Sequence, residues 1–244
     1  MRADQDLSGL TDEDRDFYRW YGAWDPLTPV QVAERFSGMP ARWWIVGGWA
    51  VDAFTGVPRE HEDIDVAFFR ADLPIVLERL SPELCVWSNL SGTLRPLRKA
   101  EDLLEGARQL WVRRDGDSPW LMDLAMTPHD GDTWISPRDD RIRRPFDEAT
   151  FAAADGIRYL RPELVLFMKA RAAGVRSNDR DLATILPALE PERMAWLREA
   201  ISLLYPGHRW LDQIQGDGAS GDVRGDGASA RSTLPSRKSR ISSR

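Results

Sequence analysis

Residues 43–69, WWIVGGWAVDAFTGVPREHEDIDVAFF, constrain this chain more than any other stretch. Trp43 to Val46 is an apolar run with β-branched residues, which suits a buried strand. Gly47 and Gly48 break that run. Trp49 to Phe54 has helical spacing, and Gly56 with Pro58 ends the helix. Asp63-Ile64-Asp65 then leads into a second apolar run, Val66 to Phe69. Side chains of an extended strand alternate between faces, so Asp63 and Asp65 are expected to point one way and Ile64 into the core.

Two carboxylates one strand repeat apart, ~6–7 Å between Cα atoms, can converge on a divalent cation. Mg²⁺ favours a few carboxylates completed by substrate phosphates. A Gly-Gly turn at a helix start offers bare backbone N–H groups, which favour a phosphate. Metal carboxylates beside a phosphate cradle suggest phosphoryl or nucleotidyl transfer. The competing reading, a helix cap followed by two surface acids on an edge strand, leaves their shared face before a buried strand unexplained.

At these residues the sequence resembles the nucleotidyltransferase superfamily that includes DNA polymerase beta. The shared pattern is an apolar strand, Gly-Gly or Gly-Ser, a helix and Asp-x-Asp. It is closest to the aminoglycoside nucleotidyltransferase branch, through Gly47, Gly48, Trp49 and Asp52, then Arg59, His61, Asp63 and Asp65. The resemblance implies an α+β fold: a nucleotidyltransferase-type mixed β-sheet flanked by helices, followed by a helical C-terminal part. It implies transfer of a nucleoside monophosphate from an NTP, with ATP expected, to a hydroxyl of a small molecule such as an aminoglycoside. It also implies Mg²⁺ held by Asp63, Asp65 and a third acid on a later strand.

Asp123 is the acid with that setting. Gln109 to Arg113 reads as a strand, Asp115-Gly116-Asp117 as a hairpin turn and Trp120 to Met126 as the partner strand. Asp123 lies among Leu121, Met122, Leu124 and Ala125, where an unpaired buried carboxylate is expensive. Metal coordination supplies a reason for it; an exposed position on an antiparallel sheet is the alternative. Asp123 is also nearest in type to a general base. Some relatives carry another acid two residues later, and here that position is Ala125.

Further contacts follow from the resemblance. Gly47 and Gly48 would bind the β- and γ-phosphates. Arg59 could pair with Asp63 or a phosphate, and His61 could position the acids, although a supporting role is expected for both, as for Asp52. Arg161-Pro162-Glu163 opens an apolar helix that carries Lys169, and Arg176 with Asn178, Asp179 and Asp181 follows. The family's helix lysine lies near the nucleotide phosphates, which carries to Lys169. A lysine at a helix C-terminus also simply complements the helix dipole.

The remainder sets the boundaries. The expected division is a helical segment over 1–36, an α/β core over 37–155, helices over 156–214 and a disordered tail over 215–244. Thr11 to Trp24 reads as a helix with Phe17, Trp20, Tyr21 and Trp24 on one aromatic, core-facing side. Thr28, Pro29 and Gln31 read as a capped helix start, and Asp181 to Leu189 as a late helix capped by Asn178 or Asp179. Cys85 is expected to be packed in its apolar run. The tail repeats Gly-Asp-Gly-Ala-Ser from Gly216 and Gly225, with few apolar groups to offset ordering entropy. A formal net charge of -6 gives no basic surface for general nucleic-acid binding. No apolar run approaches the ~20 residues of a membrane span, so a cytoplasmic enzyme is expected. Two rivals remain: a toxin-type nucleotidyltransferase acting on tRNA or protein, using Arg95, Arg98, Arg141, Arg143 and Arg144, and a non-catalytic nucleotide-binding relative.

Overall fold

In a computed structural model the described residues are 12–214. The expected helix start at Thr11 and the expected tail over 215–244 lie outside them. In chain order the elements are α1 (Asp12–Tyr21), α2 (Pro29–Arg35), β1 (Trp43–Ile45), α3 (Gly47–Thr55), β2 (Asp65–Phe69), α4 (Leu73–Leu80), β3 (Cys85–Leu90), β4 (Thr93–Pro96), β5 (Gln109–Arg113) and β6 (Trp120–Thr127). Then come β7 (His129–Asp130), β8 (Thr133–Ile135), β9 (Arg143–Pro145), α5 (Phe146–Ala149), β10 (Thr150–Ala152) and β11 (Arg158–Leu160). Three helices close the described chain: α6 (Pro162–Ala170), α7 (Arg176–Ile185) and α8 (Pro191–Leu204). The described residues divide into two compact units that interleave in sequence, one from within 1–42 and 60–126 and the other from within 43–59 and 127–244.

The first unit holds the acidic strand. Its strands run in the order β2-β6-β5-β3-β4, with β6-β5, β5-β3 and β3-β4 antiparallel. The expected hairpin is present, with Trp111 opposite Asp123. Behind it Trp24, Trp111 and Trp120 form a buried aromatic cluster, with Phe17 and Tyr21 packed against it. The Trp111 ring centroid is 5.3 Å from each of the other two, at the tilted or edge-on angles that aromatic pairs favour. Trp20 departs from the expected face: it is 74% exposed. Helix α1 ends at Tyr21, so Trp24 reaches the cluster from extended chain paired with Trp120.

Helix α2 starts as its sequence requires. Thr28 Oγ1 accepts from the Gln31 N–H at 3.3 Å, and Gln31 Oε1 accepts from the Thr28 N–H at 2.8 Å, with Pro29 at the first helical position. Cys85 is exposed, against the packed position expected for it. Strand alternation explains this, because β3 turns Val86 inward and its neighbour Cys85 outward.

The second unit carries the glycine turn and the late helices. Strand β11 pairs in parallel with β1 and antiparallel with β10, so the sheet is mixed. A small sheet β7-β8-β9, absent from the sequence reading, occupies residues 129–145. Helix α6 is buried on nearly every side, through Leu164, Val165, Leu166 and Phe167. Helix α7 begins at Arg176, five residues before the expected start. Asn178 and Asp179 do not cap it. Asp179 instead accepts from Trp210 Nε1 at 2.7 Å and Arg209 Nη2 at 2.8 Å, and Asn178 donates to the Ala172 carbonyl at 3.0 Å. The expected α+β class, with helices in the C-terminal part, is what the chain forms. Among the described residues no helix is long and apolar enough to cross a membrane.

Candidate active site

In the first unit the acidic stretch enters β2 as the alternation requires. Ile64 is fully buried, while Asp63 and Asp65 are each half-buried. Strand β2 begins at Asp65, so Asp63 lies one step ahead of the regular ladder. The Asp123 N–H donates to the Ile64 carbonyl at 3.0 Å. This bond sets the strand bearing Asp123 directly beside the Asp-Ile-Asp stretch. The sequence had placed Asp123 there only through the family pattern.

Asp123 is held by its neighbours on β5. Its Oδ2 accepts from Trp111 Nε1 at 3.1 Å and Gln109 Nε2 at 3.2 Å. Trp111 thus has two roles: its ring fills the aromatic cluster and its N–H fixes the carboxylate. Neither Trp111 nor Gln109 was singled out from the sequence. The Asp115–Asp117 turn signals the hairpin, but an irregularity between Val112 and Arg113 sets the register that brings Trp111 opposite Asp123. His61 is half-buried just before the acids.

Among the described residues no group of three or more His, Cys, Asp or Glu side chains is arranged to hold a metal ion. The donor chemistry still suits a hard cation. Mg²⁺ takes oxygen ligands, keeps several waters and commonly uses one or two carboxylates with substrate phosphates, so a preformed protein cage is not required.

In the second unit Gly47 and Gly48 open α3. Gly47 has φ 68°, a left-handed conformation that a side chain disfavours. Val46 precedes it and gives no side-chain cap, so the first-turn amides take no capping bond from that residue. Gly56, at φ 69°, ends α3 as expected, and its N–H bonds the Asp52 carbonyl at 2.8 Å.

Arg59 and Lys169 belong to one ionic network in this unit. Arg59 Nε lies 2.9 Å from Asp52 Oδ1, and the Arg59 N–H donates to Asp52 Oδ2 at 3.0 Å. Arg59 Nη1 pairs with Asp181 Oδ1, and Nη2 donates to the Gly48 carbonyl at 3.1 Å. Lys169 Nζ pairs with the other oxygen of Asp181. Asp181 is 1% exposed, so these two cations satisfy a buried charge. Arg59 was expected to pair with Asp63 or a phosphate; the acids it meets are Asp52 and Asp181. The sequence marks Asp181 only within its run beside Asn178 and Asp179, because an acid on a helix carries no signal of its partners.

A second buried carboxylate also escaped the sequence. Glu163 is fully buried and accepts from Arg144 at 2.8 Å and Arg193 at 2.6 Å. In the sequence it stands out only as part of the Arg161-Pro162-Glu163 helix opening.

A strand, a glycine turn, a helix and an acid-bearing strand thus follow one another in the order of a nucleotidyltransferase core. Residues 29–99 match a family model described as aminoglycoside-2''-adenylyltransferase. The matched span holds Gly47, Gly48, Arg59, Asp63 and Asp65, whereas Asp123, Lys169 and Asp181 lie beyond it. The resemblance to the aminoglycoside branch is borne out over that span, and it points to an adenylyltransferase-type enzyme. A search of curated proteins finds no match. Solved structures similar to this chain include the lincosamide antibiotic adenylyltransferase LnuA, lincomycin-bound, at 17% identity over 66% of this chain and 98% of that chain, with a TM-score of 0.46. The solution structure of antibiotic-resistance factor ANT(2'')-Ia matches at 19% identity over 72% and 90%, with a TM-score of 0.45. The crystal structure of ANT(2")-Ia in complex with adenylyl-2"-tobramycin matches at 17% identity over 76% and 90%, with a TM-score of 0.38.

Proposed function

We propose that this chain transfers the AMP group of ATP to a hydroxyl of a small-molecule antibiotic, in a reaction that depends on Mg²⁺. The observation that carries the proposal is the match of residues 29–99 to an antibiotic adenylyltransferase family, with Asp63 and Asp65 at its acidic strand. The Asp123 bond to Ile64 supports the third carboxylate.

Asp63, Asp65 and Asp123 would hold the cation, whose chemistry is to neutralise triphosphate charge and to acidify the acceptor hydroxyl. Asp123, oriented by Trp111 and Gln109, accepts the hydroxyl proton. The hydroxyl oxygen then bonds to the α-phosphorus as the bond to pyrophosphate breaks. The amides of Gly47 and Gly48 take the β- and γ-phosphates. Arg59 and Lys169 support that turn from their ionic network.

An acceptor of nucleic-acid type would call for arginines free to meet phosphates. Arg141 is instead paired with Asp139 at 2.7 Å, Arg144 with Glu163 at 2.8 Å, and Arg95 donates to the Asp102 carbonyl. Of these, Arg144 is committed to a buried carboxylate and so is the arginine least available to a nucleic-acid phosphate.

The test is incubation with α-labelled ATP, Mg²⁺ and separate pools of aminoglycosides, lincosamides, tRNA and cell protein. An Asp63→Asn/Asp65→Asn variant is the control. Label should enter an antibiotic pool with the wild-type protein and no pool with the variant. Equal labelling by both proteins, or label in no pool, would overturn the proposal.

A further inference from the structure

Asp181 is a buried acid on α7, and both of its oxygens meet cations from other elements. On one side Arg59 reaches from the loop after α3, and on the other Lys169 reaches from α6. Arg59 spreads its fork further, to Asp52 on α3 and to the carbonyl of Gly48 in the glycine turn. The four charges, Asp52, Arg59, Asp181 and Lys169, sum to zero. The network can therefore be buried without leaving an uncompensated ion. It ties α7 and α6 to the turn that opens α3, where Gly47 is left-handed and no side chain caps the helix.

We propose that Asp181 is a positioning residue for nucleotide binding, acting through Arg59 on the Gly48 peptide. This rests on the reading that the glycine turn receives the triphosphate. A trans peptide is planar, so fixing the Gly48 carbonyl also fixes the Trp49 N–H at its other end. Arg59 holds that carbonyl, and Asp181 and Asp52 hold Arg59. Lys169, paired with the same buried carboxylate, acts here as an anchor of Asp181. A guanidinium suits the central place because its rigid fork meets Asp52, Asp181 and a carbonyl at once, which one ammonium cannot do.

The test uses the full chain and two variants, Asp181→Asn and Arg59→Lys. The first removes the buried charge, and the second keeps the charge but removes the fork. Amide spectra and MgATP affinity by calorimetry are measured for each, and Asp181→Glu is the conservative rescue. Both variants should shift the amide resonances of Gly47, Gly48 and Trp49, and weaken MgATP binding roughly tenfold, the size of one lost charge-assisted hydrogen bond. Asp181→Glu should recover part of that affinity. A residue that only stabilises the helices would lower the melting temperature and leave those three amides and the affinity in place. That result in either folded variant overturns the proposal, and Arg59→Lys decides it if Asp181→Asn does not fold. Wild-type protein that binds no MgATP removes the underlying nucleotide reading, whereas binding shared equally by wild type and Arg59→Lys removes only the role of this network.

Discussion

Asp123→Asn separates a chemical carboxylate from a structural one. The substitution keeps the shape and keeps an oxygen for Trp111 and Gln109, whose bonds measure 3.1 and 3.2 Å. A hydrogen bond to a charged acceptor contributes about 1.5–3 kcal/mol and a neutral one about 0.5–1.5 kcal/mol. Two bonds changed from one kind to the other give a loss of about 2 kcal/mol, which solvent at a half-buried position reduces toward about 1 kcal/mol. Removing a group that stabilises transition-state charge costs about 3–4 kcal/mol of barrier, or roughly 10²–10³ in rate. The two effects are therefore well separated. Pyrophosphate release would be followed with the acceptor found by labelling, and stability by urea unfolding. The expected result is a rate down by about a thousandfold in a protein still folded at 25 °C. A rate within tenfold of wild type, whatever the unfolding midpoint, would refute the assignment of Asp123 to the reaction.

The remaining predictions concern stability and charge. Glu163→Gln leaves Arg144 and Arg193 facing a neutral group in a buried site, so unfolding in urea should show a loss of about 3 kcal/mol. Thr28→Ala removes the capping bond to Gln31 and should cost about 1 kcal/mol by the same measurement. The Asp139 carboxyl is held down to about 2 by its hydrogen bonds from the Arg141 side chain and backbone. A depressed carboxyl stabilises the fold above its ordinary pKa, and that contribution disappears as pH falls through about 2. Arg141→Ala should raise the Asp139 titration midpoint toward 3.8, read from its carboxyl resonance.

What could be read from the sequence was local. The Thr28–Gln31 box, the α3 stop at Gly56 and the β5–β6 hairpin each follow from chemistry within a few residues. Burial of Ile64 between two half-buried acids followed from strand alternation. What escaped depends on partners distant in sequence. Asp181 meets Arg59 across 122 positions, and nothing near either residue announces the other. Asn178 and Asp179 have the chemistry of helix caps, yet tertiary hydrogen bonds take them into α7. Cys85 is exposed although its run is apolar, because a run of apolar letters conceals which face of a strand each one takes. Strands β7, β8 and β9 have two or three residues each, too few for a period to register.

The proposed reaction requires Asp63, Asp65 and Asp123 to share one cation with a nucleotide. Mn²⁺ is a paramagnetic substitute for Mg²⁺ and broadens nearby resonances, so titrating it into the protein with a non-hydrolysable ATP analogue maps the site directly. The amides of Asp63, Ile64, Asp65 and Asp123 should broaden first, and Asp63→Asn/Asp65→Asn should abolish the effect. Sharp signals at those four residues, with broadening elsewhere in the chain, would contradict the account.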